Sequence, residues 1–395
     1  MEQMDYMAHF SLYISELCIV IIAYIYFGYP IIIAILARLF PKPVHSAPII
    51  PKVSMIISAC NEAPFIANKI RNSLNLAYPA DRLEIILSSD GSSDGSEKIA
   101  AEHGKGIVKI IHNPTRCGKA TAMNRGIALA TGDILLFSDA RPLYNADAVA
   151  CLISNFANPD VGLANGSIVY AAQGDSAVCS NNNAYGRFEN WLRKNESASG
   201  STMTVHGAMM AVRKELVTPL PANIINDDGY IALKVMRAKK RLVYDQRAIA
   251  STAAPVKMAG DMERRYRISA GRFQLLWTKG LLPWDNVAAM WRYASHKIGR
   301  LLLPFFLIIA FVFSIIACLS TPCPPLPFVA VTIAQIIGYA AAALGGILHF
   351  TGHKMSIFRL PYYVFIGTFS SVVGFYRFVF NKQNVMWKRS TRDVQ

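Results

Sequence analysis

The chain has 395 residues, 53% of them hydrophobic, and a formal net charge of +15. A mean hydropathy of +0.30 is too high for an ordinary soluble enzyme, and the length allows a soluble domain plus membrane segments. Nucleic acid is one partner such a charge would suit, but no recognition module is present in the sequence and none is expected to bind.

The run over residues 12–36 is long enough to cross a bilayer. It has no basic start and no small-residue cleavage site, so residues 1–40 are expected to remain as an anchor. Glu2 and Asp5 precede the run, while Arg38 and Lys42 follow it; the positive-inside rule then puts the N-terminus outside and residue 38 onward in the cytoplasm. Pro41, Pro43, Pro48 and Pro51 predict a stiff linker over 41–52.

From residue 53 the pattern alternates. Strands are expected at 53–58, 83–89, 108–112 and 133–138, with helices at 64–74, 95–101, 119–130 and 146–156. Short apolar runs between helical patterns predict an α/β domain whose parallel sheet is covered on both faces. Ligands of such sheets sit beyond the carboxyl ends of the strands, where Asn61, Asp90 and Asp139 fall. The rhythm loosens after Asp160, with strands expected at 161–170 and 207–213 and helices at 180–196 and 228–238, closing a domain of residues 53–256.

Residues 257–300 are rich in bases (Lys257, Arg264, Arg265, Arg267, Arg272, Lys279, Arg292, Lys297, Arg300), with Ile268, Phe273, Leu275, Leu276 and Trp277 among them. That mixture predicts amphipathic interfacial helices against anionic membrane lipids, and Trp284, Trp291 and Tyr293 extend the pattern. Apolar segments follow at 301–319, 328–350 and 358–380, the first two as a hairpin through the Pro-rich turn 322–327. The third has bases on both flanks, so spanning and lying in the interface both stay open. Residues 381–395 read as a basic cytoplasmic tail. The seven cysteines (18, 60, 117, 151, 179, 318, 323) show neither a CxxC pair nor metal-ligand spacing with His, which predicts a reduced domain without disulfides.

Several polar positions carry two readings each. Asp90, within Ser89-Asp90-Gly91-Ser92-Ser93-Asp94, suits turn and cap chemistry, or a carboxylate that accepts from a uracil ring or ribose. Asp139, leaving a buried strand, is a loop acid or a holder of a diphosphate-bound cation. Lys119, after Gly118, is a solvated helix-start lysine or reaches phosphate or base; the loop is not a Walker A sequence, which excludes P-loop chemistry. One of Asp227 and Asp228 caps a helix, or one is a general base whose proton affinity is raised by its neighbour. Arg264, Arg265 and Arg267 form a lipid-facing basic surface, or clamp a leaving diphosphate. Gly207, between His206 and Ala208, would let an acceptor sugar approach the backbone, and a lone histidine such as His206 is more often structural than catalytic.

In order and spacing, Asn61-Glu62, Asp90-Gly91-Ser92-Ser93-Asp94, Gly118-Lys119 with Asn124-Arg125-Gly126, Asp139-Ala140-Arg141, Gly207-Ala208 and Asp227-Asp228 resemble the family-2 inverting glycosyltransferases. The similarity is to their membrane-bound polysaccharide-synthase-like branch, over residues 53 to about 280. It implies a Rossmann-like GT-A fold, a nucleotide-sugar donor (usually UDP-linked) and a divalent cation, Mg²⁺ or Mn²⁺. Asn61, Glu62, Asp90, Lys119, Asp139, Arg141 and Arg264 would then face the donor, with Asp139 the metal ligand as first acid of an Asp-x-Asp motif. Asp228 takes the catalytic aspartate with Asp227 in place of Glu, Arg265 and Arg267 face the leaving group, and His206, Gly207 and Ala208 the acceptor.

Two departures matter. Arg141 stands at the second acid of Asp-x-Asp, so the metal rests on other ligands or is dispensed with. Arg264-Arg265-Tyr266-Arg267-Ile268 replaces the Gln-x-x-Arg-Trp of processive synthases, keeping Arg267 alone. Trp387-Lys388-Arg389-Ser390-Thr391-Arg392 is similar to C-terminal gating segments of some synthases. The resemblance thus implies a multi-pass enzyme of the cell membrane with a cytoplasmic catalytic domain, acting on a lipid-linked glycan or exopolysaccharide. The alternatives are a processive synthase that secretes its polymer, as a homo-oligomer if it builds a channel, or a nucleotide-sugar-binding subunit of an export complex without turnover.

Overall fold

The computed structural model describes residues 2–171, 184–253, 258–320, 326–351, 353 and 356–383. Most of the Pro-rich turn 322–327, the start of the helix expected at 180–196, and the segment Trp387–Arg392 lie outside the described residues. Two helices, α1 (Glu2–Ala23) and α2 (Tyr29–Leu39), run end to end through a π-helical turn at Tyr24–Gly28. The Tyr29 N–H reaches Tyr24 O, five residues back, and Pro30 follows with no N–H to offer the carbonyl four residues before it.

The expected strands then appear in order. Strand β1 (Val53–Ala59) is buried at all seven positions, as an apolar run in mid-sheet requires. Helix α3 (Ala63–Leu74) starts on Pro64, a residue that suits the first helical turn. There follow β2 (Leu83–Asp90), α4 (Ser96–Gly104), β3 (Lys109–Asn113), α5 (Lys119–Leu129), β4 (Ile134–Asp139), β5 (Leu143–Tyr144), α6 (Ala148–Ser154), β6 (Val161–Ala171), α7 (Ala184–Ala198), β7 (Met209–Arg213), α8 (Asp227–Arg237) and β8 (Arg241–Ala253). The chain closes with α9 (Met258–Trp277), α10 (Val287–Tyr293), α11 (Gly299–Ser320), α12 (Leu326–Phe350) and α13 (Arg359–Val379).

All eight strands form one sheet, in the order β3-β2-β1-β4-β7-β6-β8-β5. The expectation of a parallel sheet holds for β3, β2, β1 and β4. Beyond them the sheet is mixed: β7 runs antiparallel to both β4 and β6, and β5 antiparallel to β8, while β6 and β8 pair in parallel. Strand β8 was not anticipated. Asp245, Gln246 and Arg247 interrupt its apolar pattern, and the pairing jumps from Asn165↔Tyr244 to Ser167↔Ile249 across them. Asp245 is buried there, taking hydrogen bonds from Asn155 and Arg247.

The chain divides into two compact units. One comprises Ile33–Asp261 and Gly271–Arg292 and holds the sheet; the other comprises Met1–Ile32, Met262–Ala270 and Tyr293–Lys382. In the sheet-bearing unit the main core is built on one face of β1, β2 and β4, from Val53, Met55, Ile57, Leu83, Ile85, Leu87, Ile134 and Leu136, with Ile66 and Ile70 of α3 and Leu152, Ile153 and Phe156 around α6. The Pro-rich linker is pinned along this unit. Lys42 N–H donates to Ala198 O, Arg241 donates to Lys42 O, and the Tyr78 hydroxyl donates to Pro51 O. Glu84 fastens β2 to its neighbours: burial pushes its carboxyl up, but hydrogen bonds from Lys109, Ser54 and the Thr131 N–H outweigh this and hold it at about 2.

In the other unit Ser15 of α1 donates to Ala310 O of α11, and the Phe10 and Phe313 rings meet edge to face. Among the described residues three helices are long and apolar enough to cross a membrane: Tyr6–Leu39, Val287–Ser320 and Leu326–Phe350. Helix α13 is not one of these. It is tied to α9 by Arg377, which grips Glu263 at 2.6 and 2.9 Å beside the Tyr266 ring. A Cβ on Gly374 would lie 2.4 Å from Ser269 Cβ and 2.8 Å from Ala270 N, so glycine alone allows this approach. Gly374→Leu is therefore expected to lower the thermal midpoint in detergent by about 2–10 °C. An unchanged midpoint would show that α13 does not pack there.

Candidate active site

The loops after β1 and β2 shape each other. Asn61 has φ +56°, a left-handed conformation that a short polar side chain tolerates, and its Oδ1 accepts the Ser93 N–H at 2.8 Å. The first N–H groups around α3 are capped from the neighbouring loop: Glu62 N donates to Ser96 Oγ, and Ala63 N to Asp94 Oδ2. Ser93, Asp94 and Ser96 thus do turn and cap work.

Asp90 is fully buried and clamps a third loop. Its Oδ1 accepts the Cys117 N–H at 2.7 Å and its Oδ2 the Gly118 N–H at 2.9 Å. Gly91 has φ +64°, and a Cβ there would lie 2.7 Å from Arg116 N, so the two loops touch backbone to backbone. A carboxylate has about four lone-pair sites, so two remain for a ligand. Helix α5 starts at once after the clamp, and this fixes where Lys119 points.

Lys119 gathers the acids from distant segments. Its Nζ lies 3.0 Å from Asp139 Oδ1, at the end of β4, and 3.1 Å from Asp227 Oδ2, at the start of α8. Burial alone would pull the ammonium down, but Asp139 and Asp227 outweigh it and hold Lys119 well above its ordinary value. Next to Asp227, Asp228 accepts the Gly207 N–H at 3.3 Å and the Gly229 N–H at 2.7 Å. Burial and the Asp227 charge push the Asp228 carboxyl up, against Lys119 and the two N–H groups. A Cβ on Gly207 would sit 3.4 Å from Lys119 Nζ and 3.5 Å from Asp227 Oδ2, so the absent side chain leaves room beside the acids. His206 contributes its carbonyl, which accepts from Asn165 Nδ2 and Met209 N–H.

Arg141 turns to Glu62, with Nε 2.8 and 3.1 Å from its two oxygens, and lies over the Phe65 ring. Among the described residues no three His, Cys, Asp or Glu side chains are grouped to hold a metal ion. Asp139 has one oxygen on Lys119 and a side chain 38% exposed. That fits a hard cation held by one carboxylate, with donor phosphates and water as its other ligands, and not a closed protein cage. Arg264, Arg265 and Arg267 lie on α9 within residues 262–270, which count with the other compact unit.

Lys69 and Tyr144 were not anticipated at all. Lys69 is completely buried, donates to Pro142 O at 2.7 Å, and its Nζ sits 3.9 Å from the Tyr144 ring centre. The Tyr144 hydroxyl donates to Ala208 O at 2.8 Å. Burial pulls the Lys69 ammonium down to about 7, with Asp139 pushing the other way. The sequence held a signal for it: Ile66, Lys69, Ile70 and Ser73 share one helical face, so Lys69 stands in the buried stripe.

Residues 54–218 match the model of Glycosyl transferase family 2. This segment is a family 2 glycosyltransferase domain. Asp90 and Asp139 lie within the matched residues, and Asp227 and Asp228 lie beyond them. A poly-beta-1,6-N-acetyl-D-glucosamine synthase of Staphylococcus epidermidis is 24% identical over 229 residues, 57% of this chain and 55% of that protein. A probable glycosyltransferase of Bacillus subtilis, YdaM, is 35% identical over 128 residues, 31% of this chain and 30% of that one. The chain spans about half the length of the polysaccharide synthases that it matches. Among solved structures, the mannosyltransferase PcManGT of Pyrobaculum calidifontis, in complex with GDP-Man and Mn²⁺, superposes with a TM-score of 0.66 at 23% identity, covering 94% of this chain and all of that one. The fold is GT-A, as the sequence implied.

Proposed function

We propose that the protein is a membrane-anchored inverting glycosyltransferase, moving a sugar from a nucleotide donor of the UDP type to a lipid-linked glycan or exopolysaccharide. The observation that carries this reading is the meeting of Asp139, Asp227 and Asp228 around Lys119 and beside Gly207, from segments far apart in sequence. Asp228 takes the proton of an acceptor hydroxyl lodged beside Gly207. The hydroxyl oxygen forms its bond to the anomeric carbon while the bond from that carbon to the diphosphate breaks, and the electron pair leaves with the diphosphate. Asp90 holds the 116–118 loop that a nucleotide would meet, and Lys119 places positive charge next to the acids. A divalent cation held by Asp139 would, when bound, neutralise the departing diphosphate.

Arg38 and Lys42 after the first apolar helix support a cytoplasmic catalytic unit and an external N-terminus. The partial match to a named polysaccharide synthase favours a second reading, processive addition, which product length decides. The test is release of nucleoside diphosphate from a panel of UDP- and GDP-sugars by the detergent-purified protein, with membrane lipid extract as acceptor source. Release from one donor, with a sized product, is the expected result. Silence across the panel, with and without Mn²⁺ or Mg²⁺, would sink the reading.

A further inference from the structure

Helix α3 and Glu62, the residue before it, make four successive grips on the segment that follows Asp139. Glu62 takes Arg141, and Lys69 takes the Pro142 carbonyl. Asn72 then takes both sides of Tyr144, its Nδ2 donating to Tyr144 O and its Oδ1 accepting the Tyr144 N–H, each at 2.8 Å. Tyr144 in turn reaches across to Ala208 O. Ala208 adjoins Gly207, whose N–H meets Asp228. One continuous chain of contacts therefore joins the segment carrying Asp139 to the one facing the proposed base.

Lys69 is the costly member of that chain. An ammonium group with no exposed surface loses its hydration and gains here one carbonyl and one ring face. Replacing such a buried charge by an apolar side chain of similar size is often neutral or stabilising. Leu or Met would fill the stripe beside Ile66 and Ile70, but neither could hold Pro142 O.

Resting on the glycosyltransferase reading, we propose that Lys69 is a positioning residue, acting with Tyr144 to hold the Asp139–Arg141 segment and the Gly207–Ala208 segment in one register. Lys69 touches no substrate. It sets the distance between the group that receives the donor and the group that takes the acceptor proton. A displacement of about 1 Å between such groups costs roughly 100-fold in turnover, far more than it costs in binding either substrate.

The test compares wild type, Lys69→Met, Tyr144→Phe and the double variant. Three quantities are measured in each: kcat for nucleoside diphosphate release, the Kd of UDP and of GDP by calorimetry, and the thermal midpoint. The expected result for Lys69→Met is a kcat lowered about 10- to 100-fold, a nucleotide Kd within about threefold of wild type, and a midpoint unchanged or raised. Tyr144→Phe should give the same split, and the double variant should lose much less than the product of the two single losses. A kcat within twofold of wild type in Lys69→Met overturns the proposal. So does a parallel fall of kcat, affinity and midpoint, the mark of a merely structural lysine, or a double variant whose losses multiply. Wild type that releases no nucleotide from any donor overturns the glycosyltransferase reading itself, and this proposal falls with it.

Discussion

Asp228→Asn is expected to lower kcat by about 10²–10⁴-fold and to leave nucleotide affinity within about threefold of wild type. The substitution is nearly isosteric, and an Asn Oδ1 can still accept one of the two N–H groups, of Gly207 and Gly229, that Asp228 accepts now. What is lost is the ability to take a proton. The pH dependence of wild type follows from the same surroundings. Burial and Asp227 push the Asp228 carboxyl above its ordinary value, against Lys119 and two backbone N–H groups. Asp228 therefore keeps its proton at pH values where an exposed carboxylate has lost one, and kcat/KM should fall with decreasing pH along a limb centred above about 4. Asp227→Asn removes the repelling charge, so its limb should move to lower pH. The stability sign is the reverse of the catalytic one. A carboxyl whose folded pKa lies above its unfolded value costs stability once pH exceeds that value. Asp228→Asn should thus raise the thermal midpoint at neutral pH while removing turnover. An active Asp228→Asn enzyme, or a wild-type limb at or below 4, would remove Asp228 from the role of base.

The sequence disclosed this site where local chemistry and long-range position coincide. Strands β1, β2 and β4 are short apolar runs, β2 and β4 ending in Asp90 and Asp139 and β1 followed closely by Asn61, and each places these residues at the carboxyl edge of the parallel half of the sheet. Asp90, read either as turn chemistry or as a nucleotide contact, is a loop clamp through two backbone N–H groups, and the nucleotide contact belongs to the proposed function. What the sequence hid depends on pairing. Nothing local says that β7 enters the sheet antiparallel between β4 and β6. Strand β8 was masked by Asp245 and Arg247, polar residues that satisfy each other inside a bulge. Arg141, read as a possible phosphate ligand, is met by Glu62, an acid 79 positions earlier that only the fold brings near. Lys69 was visible as a charge in an apolar stripe, and its partner, the Pro142 carbonyl, is a backbone group that carries no sequence signature.

Asp90→Ala is expected to weaken UDP binding by at least about 100-fold, more than any change to Arg141 or Glu62. Asp90 spends both oxygens on one loop, and its removal would leave the Cys117 and Gly118 N–H groups without their acceptor. Two charge-assisted hydrogen bonds of this kind are worth roughly 3–6 kcal/mol together, and orphaned buried donors add a desolvation cost. The loop would relax toward water, and Lys119, the next residue, would lose its fixed approach to Asp139 and Asp227. Donor affinity and the arrangement around the base should therefore fail together, in contrast to Asp228→Asn, where binding survives. Asp90→Asn separates the clamp from its charge. It can accept one of the two N–H groups and should recover part of the affinity, whereas Arg141→Ala leaves the Asp90 clamp untouched and should cost less than about tenfold. The sheet itself does not depend on this carboxylate, because Ile85, Ile86 and Leu87 hold β2 in the core, so far-UV circular dichroism should stay native. UDP affinity within threefold of wild type in Asp90→Ala would mean that the 116–118 loop does not meet the nucleotide, and the donor would have to be placed elsewhere on the sheet edge.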